Sequence, residues 1–148
     1  MDTTTGPGPT SERVATVARA LTAASVMLSA VVHLELWAMG MKRVDVIGPA
    51  FLLNAIGGLA IALAVLLWRH WLPLLAAIGF GAATLAAFVM SMTAGLFGVS
   101  EQVWGVPQVL SAVSEVAAIV FALLALMAER PRAALPGTER APSQAPTT

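Results

Sequence analysis

A chain of 148 residues with 58% hydrophobic and only 11% charged side chains has too little polar cover for a water-soluble domain, where about a quarter of residues are charged. Eight basic and eight acidic side chains cancel, so no net field favours nucleic acid or an acidic partner. A mean hydropathy of +0.84 predicts a protein dissolved in a bilayer, and the absence of cysteine excludes disulfides, thiolate nucleophiles and cysteine-based haem or metal attachment.

Residues 1–11 are rich in Pro, Thr, Ser and Gly and are expected to form a disordered tail. Between Arg19 and Lys42 only His33 and Glu35 are ionisable, which predicts a first span near 18–41. That apolar run is too long for a signal peptide, and no small-residue cleavage site follows it, so it reads as an uncleaved span. A second span is predicted near 46–68, a third near 72–95 and a fourth near 106–128, with Glu115 the single ionisable residue inside the last. Each reaches the roughly 20 residues needed to cross a hydrocarbon core of about 30 Å. Residues 131–148 repeat the composition of the first tail. The expected fold is therefore all-α, an integral membrane four-helix bundle occupying 12–130.

Trp37, Trp68, Trp71 and Trp104 fall near the predicted span ends, where an amphipathic ring prefers the headgroup level. Arg13, Arg19, Arg69, Arg130, Arg132 and Arg140 lie on one side of a four-span chain, and only Lys42 and Arg43 on the other. The positive-inside rule places both termini in the cytoplasm, with the hinge Arg69–Pro73 beside them. The connections Lys42–Asp45 and Leu96–Pro107 then face outward, as expected of a multi-pass protein of the bacterial plasma membrane.

Each span carries one stripe of small or polar residues at three- and four-residue spacing. The first has Thr22, Ser25, Ser29 and His33; the second Ala50, Asn54, Gly57 and Gly58. The third has Ala77, Gly81, Thr84, Ala87, Ser91 and Gly95; the fourth Gln108, Ser111, Glu115, Ala118 and Ala122. Small residues let helices approach closely in lipid, so the stripes are expected to face one another. By depth, His33, Asn54, Ser91, Gln108, Ser111 and Glu115 gather toward the outer side, while the cytoplasmic halves offer only Thr22, Ser25 and Thr84. These six residues are expected to build a polar pocket open to the outside and closed below by apolar packing.

Ionisable side chains inside a span are functional candidates because their insertion costs at least about 2.5 kcal/mol for Asp. Glu115 is expected as a neutral acid hydrogen-bonded to Asn54 or His33. Two roles stay open for it: a proton- or cation-binding pair with His33, or a polar clasp that sets helix register. Glu35 lies about 200° from His33 round the helix and is expected to reach the interface or pair with Lys42 or Arg43. Met39, Met41, Met90 and Met92 map near His33, and thioether with imidazole suits Cu(I), although residues two apart on a helix point apart. His33 and His70 sit at opposite ends and cannot clamp one haem. No Ser-His-Asp set, HExxH or phosphate-cradling glycine loop is present, so no catalytic residue, cofactor or bound metal is expected.

The run "HLELWAMGMKRVDVIGPAFLLNAIGG" (His33–Gly58), with "GLFGVSE" (Gly95–Glu101) and "SEVAAIV" (Ser114–Val120), resembles a group of small four-span membrane proteins from high-GC actinobacteria. The resemblance covers the spans and not the tails. It implies a fold and a cellular setting, and no catalytic residues.

The leading expectation is a non-enzymatic accessory or scaffold subunit whose pocket binds a partner or small ligand. Its partners would be the lipid bilayer and a larger membrane complex or a second copy, and not nucleic acid. A proton- or cation-coupled transporter component using Glu115 and His33 is the alternative, and copper handling the third reading.

Overall fold

The computed structural model describes residues 9–93 and 105–129. Four helices carry these residues: α1 (Pro9–Met39), α2 (Ile47–Leu67), α3 (Trp71–Thr93) and α4 (Val106–Glu129). Helix α1 packs mainly on α4 and α2, α4 packs on α3, and the α2–α3 contact is the slightest between neighbours. Consecutive helices run antiparallel, so the start of α1 and the end of α4 share one end of the bundle.

The helix ends follow local chemistry. Helix α1 begins at Pro9, so residues 9–11 of the expected tail are helical. Proline suits the first helical position, where its missing N–H is not needed, and Glu12 in the first turn complements the helix dipole. At the other end of α1, Gly40 and a 3-10 turn over Met41–Arg43 reverse the chain. Between α2 and α3, His70 accepts the Leu72 N–H on its Nδ1 at 3.2 Å and caps α3. Its ring stacks on Trp68 at 5.1 Å and 18° and leans on Trp71 at 5.4 Å. Gly105 offers its carbonyl to the Val109 N–H at 3.1 Å, and Pro107 falls in the first turn of α4. Gly95, Trp104 and the remainder of the two expected tails lie outside the described residues.

Burial is inverted relative to a water-soluble bundle. The core is largely alanine: Ala18, Ala23, Ala62, Ala77, Ala118, Ala122 and Ala125 pack around Val26, Val65 and Leu74. Large apolar side chains point outward instead, with Leu53 70% and Leu67 81% exposed and Val113 and Leu123 beside them in character. Water would penalise such a continuous apolar exterior, whereas lipid tails solvate it. All four helices are long and apolar enough to cross a membrane. The protein is a multi-pass all-α membrane bundle.

Close helix approach depends on two glycines. A methyl group on Gly58 would come within 2.9 Å of the Phe80 ring and 3.0 Å of Ala30 Cβ. One on Gly81 would meet the Glu115 carbonyl oxygen at 2.9 Å and Ile119 at 3.1 Å. Gly57, expected on the same stripe as Gly58, meets nothing within 4 Å. The buried face of α2 is in fact Ile47, Gly48, Ala55, Gly58, Ala62 and Val65, so the expected stripe is rotated there.

The end bearing the termini is closed by Arg19, which is only 5% exposed. Its Nε and Nη2 donate to the two carboxylate oxygens of Glu129 at 2.5 and 3.1 Å. Nη1 donates to the carbonyls of Val65 and Trp68 at 3.1 and 3.3 Å, and Nη2 also to that of His70 at 2.6 Å. All five guanidinium N–H groups are thereby used. The cation also sits at the negative end of the α2 dipole. Arg19, read from sequence only as a charge that sets topology, is the joint between α1, α2, the hinge and α4.

Candidate functional site

The other half of the bundle encloses a cavity of about 290 Å³. The end of α1 brings His33 and Leu36 to it, and the first turns of α2 bring Ile47, Ala50, Phe51 and Asn54. The last turns of α3 add Ala83, Thr84, Ala87, Phe88 and Ser91, and the first turns of α4 add Gln108, Ser111 and Glu115. Alternating helix direction is what puts these four stretches at one level. Below the cavity Gly58 of α2 meets Phe80 of α3, and Phe80 packs against the apolar core.

All six residues singled out in the sequence, His33, Asn54, Ser91, Gln108, Ser111 and Glu115, line this one cavity. Glu115 is 2% exposed. Its Oε1 accepts the Ser111 hydroxyl at 2.8 Å and the Ser29 hydroxyl at 3.3 Å. Its Oε2 is buried and accepts no hydrogen bond. The expected bonds from Glu115 to Asn54 or His33 do not form; two serines take that place, one a turn away on α4 and one across on α1.

Ser29 links the two ionisable groups. Its hydroxyl lies 3.4 Å from His33 Nδ1 as well as 3.3 Å from Glu115 Oε1. His33 Nδ1 stands 2.8 Å from the Ser29 carbonyl, which can only accept, so this nitrogen carries a proton. In the neutral ring Nε2 then holds the lone pair. The imidazole leans on Phe51, with ring centroids 5.2 Å apart at 51°. The Asn54 side chain forms no hydrogen bond among the described residues, although it lines the cavity.

Thr84, assigned from sequence to the cytoplasmic half, lines the cavity beside Glu115. Its hydroxyl donates back to the Phe80 and Gly81 carbonyls at 2.9 and 3.2 Å. Sequence reasoning passed over Thr84, Phe51 and Phe88 as lining residues and Ser29 as the bridge. Ser29 did stand on the polar stripe of α1, four residues before His33, which is the signal that points to it.

Glu35 is exposed and makes no ion pair with Lys42 or Arg43 among the described residues. Lys42 instead sets its Nζ 5.7 Å above the Trp37 ring. Met41 joins His33 in the cavity lining, while Met39 and Met90 are 73% and 51% exposed on the outside of the bundle. Among the described residues, no three His, Asp or Glu side chains cluster as a metal site.

No protein-family model, curated protein or solved structure matches this chain. The cavity itself is therefore the basis for a functional reading.

Proposed function

We propose that the protein is a non-enzymatic component of the bacterial plasma membrane, termini in the cytoplasm, whose outward-facing cavity binds a small, mostly apolar ligand. It serves there as an accessory subunit of a larger membrane assembly. One observation carries the reading: Glu115 is buried in the cavity wall with one carboxyl oxygen holding two serine hydroxyls and the other without a hydrogen-bond partner, the Thr84 hydroxyl beside it being turned to the Phe80 and Gly81 carbonyls. A polar atom buried without a partner costs about 1–3 kcal/mol, and a ligand donor or cation placed against it would remove that cost. Apolar walls with a few convergent polar groups, at about 290 Å³, also match the general form of small-molecule sites.

The Ser29 bridge between His33 and Glu115 supports a second reading, a proton- or cation-coupled transporter component. The alanine core and the Arg19 joint block a path through the other half of a single chain, which favours binding over conduction.

Mass spectrometry of protein extracted gently from its own membrane tests the proposal. A small molecule should accompany the natural chain and be lost from Ala87→Phe, which fills the cavity. The same complement in both proteins, or none in either, would remove the reading.

A further inference from the structure

The charge balance of the cavity identifies the class of ligand. Among the described residues its wall contains no lysine or arginine; the ionisable groups there are His33 and Glu115. Arg19 lies at the opposite end, tied to Glu129, and Lys42 stands over Trp37. The His33 Nδ1 proton is held by the Ser29 carbonyl, which leaves a lone pair on the neutral ring rather than a donor. Glu115 Oε2 is buried in the same wall without a hydrogen-bond partner. An anion entering here would meet amide and hydroxyl groups but no fixed positive charge among the described residues. A cation would meet a carboxyl group whose Oε1 is already braced by two serine hydroxyls. Phe51 and Phe88 line the same space, and aromatic rings attract organic cations.

We infer that the cavity is a site for a small organic cation, an ammonium group on an apolar body, with Glu115 as its counter-charge. This rests on the ligand-binding reading above and adds the chemistry of the ligand. The size sets an upper limit. A cavity of about 150 Å³ encloses benzene, so about 290 Å³ suits an aromatic ring plus a compact ammonium head. Benzyltrimethylammonium is such a molecule, and neopentylbenzene is its uncharged isostere.

The test uses the full chain in lipid nanodiscs and equilibrium dialysis against empty nanodiscs. Benzyltrimethylammonium should bind saturably and more tightly than neopentylbenzene to the natural protein, a comparison that needs no variant. Glu115→Gln, which keeps an acceptor for Ser29 and Ser111, should weaken the cation at least about tenfold, since removing one partner of a buried charge pair costs that or more. Ala87→Phe, or Ala50→Phe should the first fail to fold, should abolish binding of both compounds. Equal binding of cation and isostere, unchanged in Glu115→Gln yet blocked by the filling variant, would overturn the cation inference and leave the pocket standing. Binding of neither compound, or binding indifferent to the filling variants, would overturn both.

Discussion

Arg19 and Glu129, 110 residues apart, meet in a two-pronged ion pair at the end of the bundle where the chain enters and leaves. The same guanidinium holds three backbone carbonyls at the end of α2 and the hinge. Removing it strands a carboxylate and three acceptors at once. Arg19→Ala should therefore cost about 3–5 kcal/mol. Arg19→Lys should recover only part of this, because an ammonium point charge cannot reproduce the planar fork. Glu129→Gln, which keeps one acceptor but leaves the buried guanidinium without its counter-charge, should cost about 2–3 kcal/mol. Unfolding in graded denaturing detergent gives the order, and equal effects of all three substitutions would refute the joint.

The two neighbouring glycines of α2 separate packing from propensity. Gly58→Ala drives a methyl group into Phe80 and Ala30, and Gly81→Ala drives one into the Glu115 carbonyl and Ile119. Each should destabilise by about 1–3 kcal/mol, as overpacking does. Gly57→Ala has open space and should be neutral or stabilising by up to about 1 kcal/mol through helix propensity. The same unfolding assay decides. A destabilised Gly57→Ala would place that face in a contact with another chain.

Much of this was legible because lipid simplifies the code. In a bilayer the unusual side chains are the polar ones, so helical spacing fixes their face and distance from the span end fixes their depth. That is how six residues from four helices could be assigned to one cavity. What stayed hidden is of another kind. Arg19 looks like any positive charge at a span end, and nothing local says that Glu129, far along the chain, will meet it. Serine hydroxyls also bond indifferently to their own helix or to a neighbour. Ser29 and not Asn54 bonds to Glu115, although Asn54 lines the same cavity, and spacing along the helices does not distinguish the two.

Asn54 and Ser111 distinguish a structural clasp from a binding site. Ser111 donates the shorter of the two bonds to Glu115, so Ser111→Ala should cost about 1–2 kcal/mol of stability. The Asn54 side chain lines the cavity and makes no hydrogen bond among the described residues. Asn54→Leu should leave stability unchanged or raise it by up to about 1 kcal/mol, while ligand affinity falls. A loss above about 1 kcal/mol for Asn54→Leu would assign this amide to holding the helices together.

Orientation follows from charge and is directly measurable because the chain has no cysteine to replace. Asp45 lies in the exposed connection beside the cavity, and Arg69 in the hinge beside the Arg19 joint, so the two mark opposite ends of the bundle. Six arginines at the terminal side against Lys42 and Arg43 at the other predict that side to be cytoplasmic. In intact cells a membrane-impermeant maleimide should label Asp45→Cys and spare Arg69→Cys; after permeabilisation it should label both. The reverse pattern would turn the cavity toward the cytoplasm. A ligand would then have to come from inside the cell, and benzyltrimethylammonium added outside intact cells would fail to protect a cysteine placed at Ala50.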